Sequence, residues 1–167
     1  MHIIDNCISE TQICELYNFF TTEKCKWYYT KHIALHDQIE DRPGYFHSFV
    51  DIVDGREVID NNNLHFLHPF IDITKKERVI RATGFLQLPF RDNSVNGKHV
   101  DLDGKSLICL YYVNDSDGGT VFYDKGKIVK RIDAKRGRCV IFDGGIEHSG
   151  ISPTNTKIVL NMNLKDA

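Results

Sequence analysis

From about residue 79 to residue 164 the chain reads as a succession of short strands cut by tight turns, and this pattern constrains the fold most. Residues 79–90 alternate, with Ile80, Ala82, Leu86 and Leu88 on one side and Arg81, Thr83 and Gln87 on the other. Further strands are expected at residues 106–113, 120–123, 127–132, 138–142 and 157–164. Asp115-Ser116-Asp117-Gly118-Gly119, Asp124-Lys125-Gly126 and Ala134-Lys135-Arg136-Gly137 read as the turns between them. The first half reads differently. Ser9-Glu10-Thr11-Gln12 has the form of a capping box, and Ile13, Leu16, Tyr17 and Phe20 follow at helical spacing. Residues 27–30 read as a strand. Residues 31–62 are polar, with Pro43-Gly44 and Asp54-Gly55 as turn signals. A second helix is expected from Asn62 or Asn63 to about Lys76, disturbed by Pro69. Helices first and then many short strands predict a mostly β fold with flanking α-helices, a sandwich or jelly roll.

At 167 residues the chain is long enough for one domain with a sizeable core. Residues 1–77 would support a β core spanning 78–164. No stretch is apolar for long enough to span a bilayer. Met1-His2-Ile3-Ile4-Asp5-Asn6 lacks a basic start and an apolar run, so no secretory signal is evident. The five cysteines, at 7, 14, 25, 109 and 139, contain no CxxC and read as reduced thiols of a cytoplasmic protein.

The residues that point to chemistry are His99-Val100-Asp101, then His148, then Lys157. His and Asp two apart on a strand share a face. A histidine from another strand can complete a three-ligand set. Two imidazoles and one carboxylate on one face suit Fe(II), leaving its other octahedral positions open. A single His-x-Asp means little among 8 His and 23 acidic residues; the order and spacing carry the signal. His148 closely follows the apolar run Cys139-Val140-Ile141-Phe142. Lys157 comes nine residues later, across Ser152-Pro153-Thr154-Asn155-Thr156, which reads as a turn between antiparallel strands. Pairing there would bring His148 and Lys157 together and place a fixed cation beside the metal, as a dicarboxylate cosubstrate needs.

The last strand sorts its side chains. Ile158, Leu160, Met162 and Leu164 face one way, and Lys157, Asn161 and Asn163 the other, as expected of a strand lining a cavity. Gln87 and Thr83 are expected to line the same cavity, which makes them and Asn163 candidate substrate contacts.

These motifs resemble the 2-oxoglutarate/Fe(II)-dependent oxygenases, specifically their prolyl-4-hydroxylase-like branch and its small phage and bacterial members. The resemblance covers roughly residues 78–164. Leu110-Tyr111-Tyr112-Val113-Asn114 is similar to the family's Tyr-Tyr-Leu/Val-Asn strand. Gly118-Gly119-Thr120-Val121 is similar to its Gly-Gly-x-Leu turn, and residues 134–142 to its Pro-x-x-Gly-x-x-x-x-Phe segment, with Ala134 in place of Pro. The resemblance implies a double-stranded β-helix (jelly roll, cupin-like). It also implies Fe(II) ligation by His99, Asp101 and His148 and 2-oxoglutarate bound by Lys157 and Tyr112. Val121 would line the cosubstrate's methylenes, and Asn161 would contribute to the same site. Tyr111, on the opposite face, is expected in the core.

The activity so implied consumes O2 and 2-oxoglutarate, releases succinate and CO2, and hydroxylates an unactivated C–H, with ascorbate as reductant. A prolyl or other peptidyl substrate leads. A free amino acid or other small molecule is the alternative, as is oxidative dealkylation of nucleic acid. The net charge of -2 leaves no nucleic-acid footprint, and no Arg follows the anchor over residues 158–163. The third alternative is a non-enzymatic, cupin-like metal-binding protein, which would have no need of the Lys157 and Tyr112 pair.

Simpler readings compete at several positions. His99 could be a loop histidine after Asn96-Gly97, Lys157 a surface lysine, and Asp103 a rival to Asp101. His32 with His36, and His65 with His68, have helical metal-pair spacing but no carboxylate at a telling distance, and read as surface or packing residues. The seven Lys and Arg between 125 and 138 read as a solvated strand edge that discourages edge pairing.

Overall fold

The computed structural model describes residues 1–33, 42–53, 56–76, 78–101 and 106–166. After a short strand β1 (His2–Ile4), helix α1 (Glu10–Thr21) begins at the expected cap: Ser9 accepts from the Gln12 backbone, and the Gln12 side chain answers the Ser9 backbone. Ile13, Leu16, Phe19 and Phe20 form its buried face. Ser9→Ala should lower stability by about 1 kcal/mol, checked by urea unfolding against wild type.

The strands are β2 (Tyr28–Thr30), β3 (Gly44–Val53), β4 (Arg56–Ile59), β5 (Arg78–Gln87), β6 (Leu107–Tyr112), β7 (Ser116–Asp124), β8 (Lys127–Ala134), β9 (Cys139–Asp143), β10 (His148–Gly150) and β11 (Lys157–Lys165). All the pairings are antiparallel. One sheet runs β1-β9-β6-β11-β5-β3-β2, with β4 on β3; the other runs β10-β7-β8. The expected second helix is a 3-10 turn, Leu64–Leu67, that passes into α2 (His68–Thr74). Pro69 sits in the first turn of α2, where its missing N–H costs nothing, and Lys75 closes it in the left-handed conformation.

Two cores result. Leu160, Met162, Leu164, Tyr111, Cys109 and Ala82 pack on α1 and α2 on the outer face of the large sheet. Ile108, Leu110, Tyr112, Val140, Phe142 and Val159 meet Phe122 and Ile132 between the two sheets. Strand β6 is thus covered on both faces, which is why Leu107-Ile108-Cys109-Leu110-Tyr111-Tyr112 is apolar without alternation. Tyr111 lies in the helix-side core as expected. All five cysteines are free thiols, and the Sγ atoms of Cys109 and Cys139 are 3.0 Å apart.

Several expectations need correction. Much of the polar stretch 31–62 is not a connection, since β3 occupies ten of its residues and pairs with β2, β4 and β5. A bulge between Ser48 and Val50 sends Phe49 and Val50 to the same core, breaking the alternation that would have revealed the strand. Asp115 to Gly119 is not a simple turn either, because β7 already starts at Ser116. Gly118 and Gly119 serve close backbone approach: a Cβ on Gly118 would lie 2.7 Å from the Ile151 carbonyl. The expected basic edge is present. Strand β8 is exposed over Lys127 to Arg131, whereas Lys135 and Arg138 reach back to pair with Asp5. Asp54-Gly55, His36 and Asp103 lie outside the described residues.

Candidate metal centre

The segment before His99 runs antiparallel to β10. Ser152 N–H donates to Ser94 O, Asn96 N–H donates to Gly150 O, and His99 and His148 exchange both backbone hydrogen bonds at 3.0 and 2.9 Å. The two imidazoles are therefore held side by side, with ring centroids 4.5 Å apart. Phe142 and Phe122 pack against His148 at 4.9 and 6.0 Å. Each ring is oriented through Nδ1, which faces a backbone carbonyl two residues back: Gly97 O at 3.1 Å for His99 and Ile146 O at 3.0 Å for His148. Both Nε2 atoms then point at Asp101 Oδ1, from 3.5 and 3.8 Å. Asn161 donates to the other carboxylate oxygen at 2.8 Å.

This is the arrangement a metal needs. The ligand atoms of His99, Asp101 and His148 lie within 4.8 Å of one another, and no other such cluster occurs among the described residues. With Nδ1–H given to a carbonyl, the Nε2 lone pair is free for a cation, and the Asn161 amide fixes the carboxylate. The route to the geometry differs from the expected one. His99 and Asp101 are not on a regular strand: His99 forms an isolated bridge and Asp101 lies in a bend. Burial opposes charge on Asp101, but hydrogen bonds from His99 and Asn161 and the nearby imidazoles outweigh it and hold its pKa at about 2. The hydrogen bond to Asp101 raises the pKa of His99 against its burial, which opposes the charge most, with the charge of Arg81 a smaller opposing effect; burial lowers that of His148.

Beside the triad lies a cavity of about 360 Å³ between the sheets. Its wall includes Leu110, Val159 and Phe85, which are apolar, and Thr83, Gln87, Asn161, Arg81, Thr120, Asn96 and Lys157, which are not. Lys157 is 2% exposed, and its Nζ donates to Ile151 O at 2.8 Å and to Gly119 O at 3.5 Å. No carboxylate among the described residues pairs with it, and burial pushes its pKa down to about 7. His148 and Lys157 share the cavity, but not by pairing across a turn: β10 and β11 belong to different sheets, so the two face each other across the sandwich.

Thr83, Gln87 and Asn161 line this cavity, as their place on the strands suggests. Asn163 is 1% exposed beyond its wall, and neither amide atom has a partner. Tyr112 and Val121 are not in the wall. The Tyr112 hydroxyl donates to Thr120 Oγ1 at 2.7 Å, and Thr120 is the β7 side chain that reaches the cavity. Val121 alternates with it and faces away. Leu110, Thr120, Phe85 and Arg81 are wall residues for which the sequence assigned no role. The parity of β5 was legible for Arg81, since it shares the face of Thr83 and Gln87. His65 and His68, on the 3-10 turn and α2, are not in the wall.

No family model and no curated protein matches the sequence. Solved structures do match over nearly the whole length. A 2OG-Fe(II) oxygenase family oxidoreductase from Burkholderia pseudomallei aligns with TM-score 0.73 at 13% identity, over 98% of this chain and 84% of that one. A prolyl hydroxylase from Trichoplax adhaerens, in complex with a hypoxia inducible factor peptide fragment, aligns at 0.68 and 15%, over 99% and 83%. HygX from Streptomyces hygroscopicus, with nickel, 2-oxoglutarate and hygromycin B bound, aligns at 0.60 and 8%, over 99% and 82%. The likeness therefore extends well before residue 78, where the sequence motifs begin. No helix among the described residues is long and apolar enough to cross a membrane. In fold, the chain is a mostly antiparallel jelly roll, the double-stranded β-helix of the 2-oxoglutarate- and Fe(II)-dependent oxygenases.

Proposed function

We propose that this chain is an Fe(II)- and 2-oxoglutarate-dependent oxygenase, with His99, Asp101 and His148 as metal ligands and Lys157 as the anchor for the distal carboxylate of 2-oxoglutarate. The observation that carries this reading is Lys157. A buried ammonium with only carbonyl partners among the described residues, in the same cavity as a His-Asp-His cluster, is what a site for a metal-chelating dicarboxylate requires. A metal-binding jelly roll with no cosubstrate would have no use for that uncompensated charge.

Bound Fe(II) would supply O2 activation coupled to decarboxylation of the 2-oxo acid to succinate and CO2. The chain's own residues position and exclude. The Gly97 and Ile146 carbonyls hold both imidazoles with Nε2 toward the metal position. Asn161 holds Asp101 Oδ2, leaving Oδ1 toward the histidines. Leu110, Val159 and Phe85 keep water from the methylene part of the cosubstrate. Tyr112 acts through Thr120, fixing its hydroxyl at the wall. A peptidyl C–H, prolyl first, is the leading substrate, since neighbours in fold include prolyl hydroxylases; a small molecule is the alternative, since HygX binds hygromycin B.

The test is anaerobic titration of the Fe(II)-loaded protein with 2-oxoglutarate. A weak visible charge-transfer band at roughly 500 nm marks bidentate binding of a 2-oxo acid at an open site. Metal uptake without that band would favour the metal-binding jelly roll.

Affinity for 2-oxoglutarate should also depend on pH with a definite sign. The free folded protein holds Lys157 near pKa 7, below its ordinary 10.5. A carboxylate partner restores the charged form, so above about pH 7 binding takes up a proton and weakens as pH rises. By the same linkage, this group makes the ligand-free fold more stable as pH rises from about 7 toward 10.5, because there the unfolded chain binds the extra proton. Calorimetry in buffers of different ionisation heat measures the uptake; Lys157→Arg should abolish it, because guanidinium does not titrate in this range.

A further inference from the structure

The cavity wall carries a second cationic side chain, Arg81, besides Lys157. Arg81 lies on the cavity face of β5, in register with Asn163 of β11. On the same two strands Thr83 pairs with Asn161 and Gln87 with Lys157. The wall therefore has an order: Lys157 and Gln87 at one end, Asn161 beneath Asp101 in the middle, Arg81 at the other end. At about 3.3 Å per residue, Arg81 stands about 7 Å beyond the Thr83 and Asn161 level, and Lys157 about 13 Å the other way.

Arg81 is half-buried, and its guanidinium has no hydrogen-bond or ion-pair partner among the described residues. Among the described residues, the two acids in the cavity wall are committed elsewhere. Asp51 accepts from the Ile52 backbone at 2.8 Å and from Ser48 at 3.4 Å. Asp101 serves the histidines and Asn161. Between Arg81 and the triad, Thr83 Oγ1 and Asn161 Oδ1 are buried without partners, and Thr83 is only 3% exposed. A half-buried guanidinium and two unpartnered polar atoms on one wall describe a place built for a polar ligand.

We propose that Arg81 anchors a carboxylate of the prime substrate, so that the substrate lies between Arg81 and the metal centre with its reacting carbon over His99, Asp101 and His148. The proposal rests on the oxygenase reading and narrows it to acids. The carboxylate can belong to a free amino acid or to an acidic side chain within a peptide. The two ends of the cavity then divide the anions: Lys157 takes the distal carboxylate of 2-oxoglutarate and Arg81 that of the substrate. The planar fork of Arg81 suits two parallel hydrogen bonds to a carboxylate, which Lys does not offer.

The experiment compares acids with their amides on the full chain loaded with Fe(II) and 2-oxoglutarate, by anaerobic calorimetry and by succinate release in air. One pair is L-proline and L-prolinamide. The other is N-acetyl-Pro-Glu-amide and N-acetyl-Pro-Gln-amide. Wild type should prefer one acid over its amide by about 10-fold or more; which pair shows the preference identifies the source of the carboxylate. Arg81→Gln should erase the preference and Arg81→Lys retain part of it. Arg91→Gln, on the exposed surface outside the cavity, should leave it intact. Neither acid binding better than its amide, or an undiminished preference in Arg81→Gln, overturns the proposal. Failure of 2-oxoglutarate itself to bind would instead sink the oxygenase reading, and the calorimetric comparison would still decide for or against Arg81.

Discussion

Replacing His148 with alanine should abolish 2-oxoglutarate turnover and lower metal affinity by more than about 100-fold, beyond what loss of an outer hydrogen-bond partner costs. His99→Ala and Asp101→Ala should do the same. The reason is geometric. Three ligand atoms within 4.8 Å of one another are held by backbone hydrogen bonds between the His99 and His148 segments, and nothing else among the described residues offers a third ligand. Asn161→Ala gives the graded contrast. It leaves all three ligands but frees Asp101 Oδ2, and should cost about 10- to 100-fold in metal affinity. Competition with a chromophoric chelator measures these affinities directly. Retained metal binding in all three ligand variants would show that the metal sits elsewhere.

Lys157→Met should leave metal binding nearly intact but raise the 2-oxoglutarate requirement on the order of 100-fold, the worth of a buried charge-assisted contact. The same variant should melt at a higher temperature without ligand. It replaces an ammonium that is buried among carbonyls, with no paired carboxylate among the described residues, by an apolar chain of similar length. Opposite signs for stability and cosubstrate binding are the signature of a charge held for function. A lysine serving only the fold would lose stability on the same change and leave 2-oxoglutarate unaffected. Thermal melts with and without 2-oxoglutarate read both effects in one experiment.

The polar face of β11 is legible in the sequence. Period-two alternation puts Lys157 and Asn161 on one side and Leu160 and Met162 on the other, and only one fold layer can take each side. The cap of α1 is legible for a similar reason, since Ser9 and Gln12 satisfy each other within four residues. Strand β3 is not legible, because its bulge sends Phe49 and Val50 to the same core. Tyr112 stands one step away from the cavity wall, with Thr120 between. The sequence pairs Tyr112 with the cosubstrate, yet its hydroxyl meets Thr120, a partner on another sheet.

In the regular strands β5 and β11 the face of each side chain can be read from the sequence, because period-two alternation follows from local backbone geometry. The sequence also put His99, Asp101, His148 and Lys157 forward as one set. How they meet depends on the packing of the two sheets. His148 stands on the small sheet and Lys157 on the large one, so their approach depends on how the two sheets stack, not on any turn between them. Arg81 shows the same division. Its side of β5 follows from parity, but its lack of a partner among the described residues appears only once Asp51 and Asp101 are seen committed elsewhere.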